Sequence, residues 1–152
     1  MSDPSKTDAP LKSRSGRELY NPRPHAFLDL LGIQRLVPEA GWDSQTEMTI
    51  EERHINPNGA AHGGSIFSLL DACMAGALRR HLEPGEFPST IESKINYIKA
   101  GRVGMTLFCS SRVAHKGGRI CVMESEVRDA KGDLVAKGLA TYTALKPKAP
   151  KA

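Results

Sequence analysis

A single aspartate lies in the middle of an apolar, helix-like run of the sequence. Asp71 falls within SIFSLLDACMAGALRRHL (65–82), where leucines precede it and Ala-Cys-Met follows it. Aspartate is a poor residue for a helix interior, and burying its charge is costly unless partners are present. Its neighbours Ser68, Ala72 and Gly76 are small, so another backbone could approach closely. Asp71 is therefore a candidate functional carboxylate, and the alternative is a partly exposed helix residue facing solvent.

Two glycines follow a histidine where this helix is predicted to start. His62, Gly63 and Gly64 place a flexible backbone at the first amides of the helix, which lack internal partners and carry partial positive charge. Such amides can polarise a carbonyl group or bind an anion. His62 could serve as a base or as a structural imidazole bonded to the backbone. We predict contacts from His62 and Gly64 to a ligand; an ordinary glycine-rich helix start is the alternative.

The segment before this histidine has the composition of a turn. Asn56 opens NPNGAAHGG (56–64), and its side-chain amide could hold a water molecule or cap a bend. The alternative is an asparagine that only forms the turn before Pro57. The sequence contains neither the phosphate-binding pattern GxxxxGK[ST] nor the nucleophile pattern GxSxG. Because the cysteines lie in apolar runs, we do not expect a catalytic thiol.

Hydrophobic periodicity predicts the elements that must position these residues. A short helix is predicted over 25–33, a strand over 44–55, and the long helix over 65–82. Apolar residues surround most of the long helix, which indicates burial on most sides. Strands joined by turn-like sequences are predicted over 89–98, 105–114, 118–128 and 133–145. This order favours an α+β fold in which an antiparallel sheet, with a meander of consecutive strands, wraps around one long central helix.

Length and charge support one domain with two polar ends. The chain has 152 residues, of which 39% are hydrophobic and 25% are charged, which is a globular composition. Residues 1–24 are predicted to form a flexible N-terminal arm, and residues 147–152 a basic C-terminal tail. The chain has a formal net charge of +4. Residues 1–25 contain five Lys or Arg and three Asp or Glu, and residues 146–152 contain three Lys, so residues 26–145 carry a net charge of −1. The basicity belongs to the ends, so nucleic acid is not an expected partner.

The chain shows no targeting or membrane-spanning pattern. No run approaches the length of a transmembrane helix, and the N-terminus lacks the apolar core of a signal peptide. Three widely spaced cysteines form no zinc pattern and indicate buried, reduced thiols. We therefore expect a cytoplasmic protein that has no membrane partner.

Taken together, these motifs resemble a known family. NPNGAAHGGSIFSLLD (56–71), the run STIESKINYIKAGRVG (89–104) and the spacing Asn-x6-Gly-x7-Asp resemble hotdog-fold thioesterases of the phenylacetyl-CoA thioesterase (PaaI) type. The resemblance covers about residues 26–145, and it implies a hotdog thioesterase domain over 25–146. The order of elements predicted above agrees with that fold.

The resemblance implies a role for each motif residue. Asp71 would be the general base or nucleophile that acts on an acyl-CoA thioester, and the Gly63 amide would polarise the thioester carbonyl. Asn56 would help to hold water or the thioester. A Ser or Thr on the next strand would assist the carboxylate, and Thr90 matches this role, although Ser89 beside it leaves the register open. The resemblance implies no metal and no cofactor, since coenzyme A is part of the substrate.

The spacing of Gly63 and Asp71 carries a geometric consequence of its own. Eight residues along one helix place the two backbones about 12 Å apart. A single small thioester would hardly reach both groups of the same helix. If both act on one carbonyl, the carboxylate must come from a second chain. We therefore expect a homodimer, or a tetramer built as a dimer of dimers, and the resemblance implies the same.

The coenzyme A phosphates require cations at the mouth of the acyl pocket. Lys116 and Arg119, which flank Gly117-Gly118, are the predicted substrate-binding residues, and Lys99 and Arg102 are further candidates. The alternative is a solvated basic loop. The acyl group stays open, either aryl or fatty. The competing function is acyl-CoA binding without catalysis by a protein of the same fold. A third alternative is a hydratase of related fold, which requires a catalytic Asp/His pair that we do not find in the sequence.

Overall fold

The computed structural model describes residues 10–20 and 24–147, which contain two α-helices and six strands. The short helix α1 spans Ala26–Leu31, and the long helix α2 spans Gly63–Arg79. A single 3-10 turn at Glu52–His54 precedes α2. The strands are β1 (Gln34–Leu36), β2 (Ser44–Thr49), β3 (Phe87–Tyr97), β4 (Thr106–Lys116), β5 (Cys121–Asp129) and β6 (Leu134–Leu145). Three-residue β1 was not predicted, because it is too short to show alternation.

The strands form one antiparallel sheet in the order β1-β2-β4-β5-β6-β3, and α2 packs against it. Leu69, Leu70, Met74 and Leu78 of the helix are completely buried there. This arrangement confirms the predicted α+β hotdog fold with a central helix. None of the helices in the described ranges is long and apolar enough to cross a membrane.

Helix α2 is buried on one face only, whereas the sequence predicted burial on most sides. Asp71, Ala72, Ala75 and Gly76 lie half-exposed on the opposite face, which we call the open face. The difference arises because most of these residues are small, so hydropathy alone does not distinguish a packed alanine from one that borders a cavity.

Strand β3 pairs with β6 and not with β4, the strand that follows it. The connection over residues 98–105 crosses to the other side of the sheet instead of forming a hairpin. Two backbone hydrogen bonds hold this connection in place. Ala61 N–H donates to the Gly101 carbonyl at 3.0 Å, and Gly104 N–H donates to the Ile50 carbonyl at 2.8 Å. The predicted meander is therefore limited to β4, β5 and β6.

The described part of the N-terminal arm packs onto the sheet. Leu19 bridges to Leu36, and Tyr20 N–H donates to the Arg35 carbonyl at 2.9 Å, so this segment covers the free edge of β1. Residues 10–20 thus differ from the expected flexible arm. Residues 1–9 and 21–23 of that arm, and 148–152 of the basic tail, lie outside the described residues.

A buried carboxylate explains why this segment docks. Glu47 of β2 is 1% exposed and accepts hydrogen bonds from the backbone N–H and the hydroxyl of Ser15. Arg17 donates to Oε1 of Gln45, two residues before Glu47 on the same strand, at 2.6 Å. A buried charge needs such donors, and the local pattern of residues 10–20 does not reveal that they supply them.

The contact between Gly101 and Ala61 gives a first prediction. A Cβ added to buried Gly101 would lie 3.0 Å from the Cβ of Ala61. Since the two residues are also hydrogen-bonded through their backbones, neither can move away easily. We expect Gly101→Ala to lower the free energy of unfolding by about 1–3 kcal/mol, the usual cost of overpacking. Urea denaturation measures this change.

A second substitution separates the contact from other effects. In an Ala61→Gly background, Gly101→Ala should cost less than half as much, because the opposing methyl group is gone. Gly118→Ala is the matched control, since nothing lies within 4 Å of its added Cβ. Equal losses in both backgrounds would show that the methyl contact does not matter.

Candidate active site

The Asp71 carboxylate is anchored by one of its two oxygens. Its Oδ1 accepts a hydrogen bond from the Tyr142 hydroxyl at 2.8 Å and one from Thr90 Oγ1 at 3.3 Å. Thr90 on β3 and Tyr142 on β6 are paired in register, so both donors approach from adjacent strands. Oδ2 makes no hydrogen bond to any residue that the structure describes. The side chain is therefore oriented and keeps one oxygen available for chemistry.

Tyr142 is the site residue that the sequence analysis missed. It is 1% exposed, and its hydroxyl also lies 3.4 Å from the Asp71 carbonyl oxygen. Burial, together with the nearby Asp71 charge, raises the pKa of Tyr142, so the hydroxyl stays a donor. The sequence did contain a signal for this role, because Tyr142 follows Ala136, Gly138 and Ala140 on the inward-facing side of β6. A tyrosine on such a face needs a partner for its hydroxyl.

The first turn of α2 holds the glycine motif. The ring of His62, the N-cap residue, accepts a hydrogen bond from Gly64 N–H through Nδ1 at 2.9 Å. Tyr97 of β3 donates to the Gly63 carbonyl at 3.0 Å. The Gly63 N–H makes no hydrogen bond within the described part of the chain, as expected for a first helical amide. His62 and Gly64 are therefore hydrogen-bonded to each other, whereas the Gly63 N–H is available to a ligand.

Asn56 uses its side-chain oxygen to build the turn that leads to α2. Its Oδ1 accepts hydrogen bonds from Asn58 N–H at 2.9 Å and from Ala60 N–H at 3.3 Å. These are the bonds of a turn-forming asparagine. Within the described residues, the side-chain nitrogen of Asn56 makes no hydrogen bond, so it can still donate to a ligand.

The predicted residues fall into three places. Asp71 and Thr90 meet beside the middle of α2, while Asn56, His62, Gly63 and Gly64 cluster at its first turn. The two groups are separated by eight residues of one continuous helix, or about 12 Å.

Lys116 and Arg119 form the third place, at the turn between β4 and β5. Both are exposed. Ser111 of β4 pairs with Ser44, which lies close to Gly76 in the second half of α2. Because β4 runs onward from Ser111 to Lys116, this turn lies beyond that half of the helix, at the opposite end from Gly63 of the same chain.

A cavity of about 640 Å³ adjoins the carboxylate. Its floor is the open face of α2, including Asp71, and its roof comes from α1, β1 and Tyr20. Asp43 also lines it. Burial alone would raise the pKa of Asp43, but hydrogen bonds from the Val113 amide and the His81 ring lower it. Asp71 is therefore the acidic group at this cavity that is open to a ligand through one oxygen. Among the described residues, no cluster of His, Cys, Asp or Glu is suited to hold a metal ion.

Comparison with known proteins places this geometry in context. The family model described as Thioesterase superfamily matches residues 58–136. A putative esterase of Archaeoglobus fulgidus is 30% identical over 110 residues, which are 72% of this chain and 69% of the relative. The Escherichia coli acyl-coenzyme A thioesterase PaaI is 28% identical over 106 residues, covering 70% and 73% of the two chains.

Solved structures agree with these sequence matches. The structure of Escherichia coli PaaI matches with a TM-score of 0.72 at 25% identity, over 80% of this chain and 85% of the other. A Bacillus halodurans protein solved with CoA matches with a TM-score of 0.71 at 27% identity, over 81% of this chain and 78% of the other. The Asp71 cavity thus lies within a fold that is shared by a thioesterase and a CoA-bound protein.

The burial of Tyr142 gives a second prediction. Because its raised pKa keeps the phenol protonated, Tyr142 should contribute no tyrosinate absorbance up to about pH 11. Titration at 295 nm should therefore give the same rise for the wild type and for Tyr142→Phe, with circular dichroism confirming that both stay folded. A smaller rise in the variant would contradict the buried contact with Asp71.

Proposed function

The chain belongs to the thioesterase superfamily, and we propose how it hydrolyses acyl-CoA thioesters. It is an acyl-CoA thioester hydrolase, and the substrate class we infer is an aryl- or fatty-acyl-CoA. The observation that carries the proposal is the Asp71 carboxylate, anchored through Oδ1 and open through Oδ2 at the wall of a cavity. A protein that only binds acyl-CoA has no need of such a carboxylate.

Asp71 acts on the thioester either through water or directly. As general base, it takes a proton from a water molecule whose oxygen attacks the thioester carbonyl carbon. The tetrahedral intermediate then collapses, the carbon–sulfur bond breaks, and the CoA thiolate takes the proton back. As nucleophile, the carboxylate displaces the thiolate to form a mixed anhydride, which water then hydrolyses. The hydrogen bonds from Thr90 and Tyr142 hold the carboxylate in place in both routes.

The Gly63 amide supplies the positive pole that the oxyanion requires. It is the first amide of a 17-residue helix, where unpaired N–H groups and the helix dipole favour negative charge. The hydrogen bond from Tyr97 to the Gly63 carbonyl fixes the peptide plane next to this amide. Asn56 lies in the turn just before it, and its free side-chain nitrogen is placed to help hold water or the thioester.

Two chains are needed to bring these groups together. About 12 Å of helix separates Asp71 from Gly63 of the same chain, so the amide that faces Asp71 is Gly63 of the partner subunit. The two sheet edges support this assembly. The segment over residues 10–20 covers β1, whereas the outer edge of β3 pairs with no described strand. Ile91 of β3 and Ile98 just beyond it are more than half exposed.

Antiparallel pairing of two β3 strands would satisfy this edge and join the two sheets. The two α2 helices would then run in opposite directions, so the first turn of one helix would approach the middle of the other. This homodimer has two equivalent shared sites, and a tetramer would contain two such dimers. Lys116 and Arg119 remain the proposed ligands of the CoA phosphates, since both are exposed and form no ion pair with described residues. In this antiparallel dimer, the turn that carries them in the partner subunit lies beyond the Gly63 end of the helix that supplies Asp71.

Removal of the Asp71 charge tests the mechanism. We expect Asp71→Asn to lower kcat by about a hundredfold or more, the scale of a lost general base, with little change in KM. The folded variant should be as thermostable as the wild type or more so, because a partly buried charge is removed. Thiol release from acyl-CoA measures turnover, and calorimetry measures Tm.

Glu124→Gln is the matched control, because it makes the same chemical change on the outer face of β5, where Glu124 pairs with Arg112. It should keep kcat within about twofold, as surface changes away from a site usually do. Wild-type turnover in Asp71→Asn would refute the mechanism.

Mixing two inactive variants tests the shared site. In a mixed dimer of Asp71→Asn and Asn56→Ala chains, one site carries both defects and the other carries none. Random exchange makes about half of the dimers mixed, so activity should return to about a quarter of the wild-type value. Exchange of tagged chains verifies that subunits reassort. If activity stays absent despite exchange, Asp71 and Asn56 act within one chain, and the shared site is refuted.

A further inference from the structure

The cavity beside Asp71 extends along α2 from Phe67, one turn before Asp71, to the end of the helix at Arg79. Just beyond Asp71, the floor of the cavity consists of small residues, namely Ala72, Ala75 and Gly76. A side chain would not fit at Gly76, since an added Cβ would lie 2.8 Å from Ser44 Oγ. The floor ends at Arg79, eight residues beyond Asp71, or about 12 Å along the helix. The floor extends only one turn from Asp71 toward the N-terminus of α2, so a long group attached to a thioester at Asp71 has more room toward the C-terminal end.

Part of the cavity lining is apolar. Phe27 and Leu28 come from α1, Leu36 comes from β1, and Phe67 comes from α2, one turn before Asp71. These side chains suit a chain of methylene groups. They do not suit the pantetheine arm of coenzyme A, whose two amides would lose their hydrogen bonds to water there. The acyl group is therefore the part of the substrate that fits this cavity.

The far end of the cavity is basic. Arg35 enters from β1, and Arg79 and Arg80 come from the end of α2. Arg80 is already engaged, because it donates to the Asp43 carbonyl at 3.1 Å and lies over the Tyr20 ring at 5.4 Å from its centroid. The side chains of Arg35 and Arg79 make no hydrogen bond or ion pair with any residue in the described ranges.

Within the described ranges, no carboxylate hydrogen-bonds to either of these two guanidinium groups. Asp43 is the acidic residue nearest to them on the cavity wall, and both of its oxygens are engaged, by His81 and by Val113 N–H. Asp71 lies about 12 Å from Arg79 along the floor. The position of Arg79 in the last helical turn is accounted for by the helix dipole, but that of Arg35 on a separate strand is not.

We propose that Arg35 and Arg79 bind a carboxylate at the far end of the acyl group, so that the preferred substrates are CoA half-thioesters of dicarboxylic acids. The inference rests on the proposed function and narrows its substrate class. Guanidinium groups bind carboxylates through paired, charge-assisted hydrogen bonds. A cavity with apolar lining and two arginines at one end matches an acyl chain that is apolar along its length and anionic at its tip.

The test compares thioesters of equal length. Succinyl-, adipoyl- and suberoyl-CoA carry the terminal carboxylate, and butanoyl-, hexanoyl- and octanoyl-CoA lack it. We expect the wild type to prefer one carboxylated member over its partner by roughly ten- to hundredfold in kcat/KM, the scale of a charged hydrogen bond. In Arg35→Gln, Arg79→Gln and the double variant, that preference should fall to about threefold or less, with hydrolysis of the uncharged partner retained.

Arg128→Gln is the matched control, because Arg128 pairs with Glu126 on β5 and does not line the cavity. It should leave the preference unchanged. Glutamine keeps an unbranched polar side chain and, at Arg79, the helix propensity of arginine, so the cavity variants should fold, which circular dichroism checks.

Three results would overturn the inference. The first is a wild type without preference for any carboxylated chain. The second is an equal loss of kcat/KM on the carboxylated and the uncharged thioesters in the arginine variants. If that loss disappears with acyl-pantetheine substrates, these arginines bind the CoA phosphates instead. The third is an absence of hydrolysis of every thioester, which would refute the proposed function as well. The first two results leave the thioesterase activity itself intact, so the two failures are distinguishable.

Discussion

The hydrogen bond from Tyr142 to Asp71 joins the central helix to the sheet at the border between the buried and open faces of α2. It fixes the rotation of the helix, because the same hydroxyl also contacts the Asp71 carbonyl. With this rotation, Leu70 and Met74 pack onto the sheet and Ala72 and Ala75 face the cavity. The carboxylate that the chemistry needs is thus also a polar anchor for the packing of the core.

One helix therefore serves several purposes at once. Its buried face supplies much of the core, its open face forms the floor of the cavity, and its first amide lies at Gly63. Because an α-helix is rigid, the distances between these features are set within each chain. Any adjustment of the site to a substrate must come from the elements around the helix, which are α1, β1 and the neighbouring β3 edge.

Local patterns predicted the parts of the site that are local. The run from Asn56 to Asp71 is continuous, and turn chemistry followed by helical spacing gave both its elements and its candidate residues. The long strands were also found, because each alternates over many residues. Tyr142 and the edge position of β3 could not be predicted, since they depend on a crossing connection that brings distant strands together. The role of Glu47 in holding the N-terminal segment could not be predicted either, because Glu47 meets its donors on Ser15 only when the sheet is formed.

The segment over residues 10–20 is held by β1 and β2 and also brings Tyr20 to the cavity wall. Thermodynamic linkage then applies to these two roles. Whatever occupies the cavity and contacts Tyr20 strengthens the docking of the segment, and docking strengthens binding by the same free energy. Resistance of the segment to proteolysis or to amide hydrogen exchange is therefore a measure of cavity occupancy that requires no turnover.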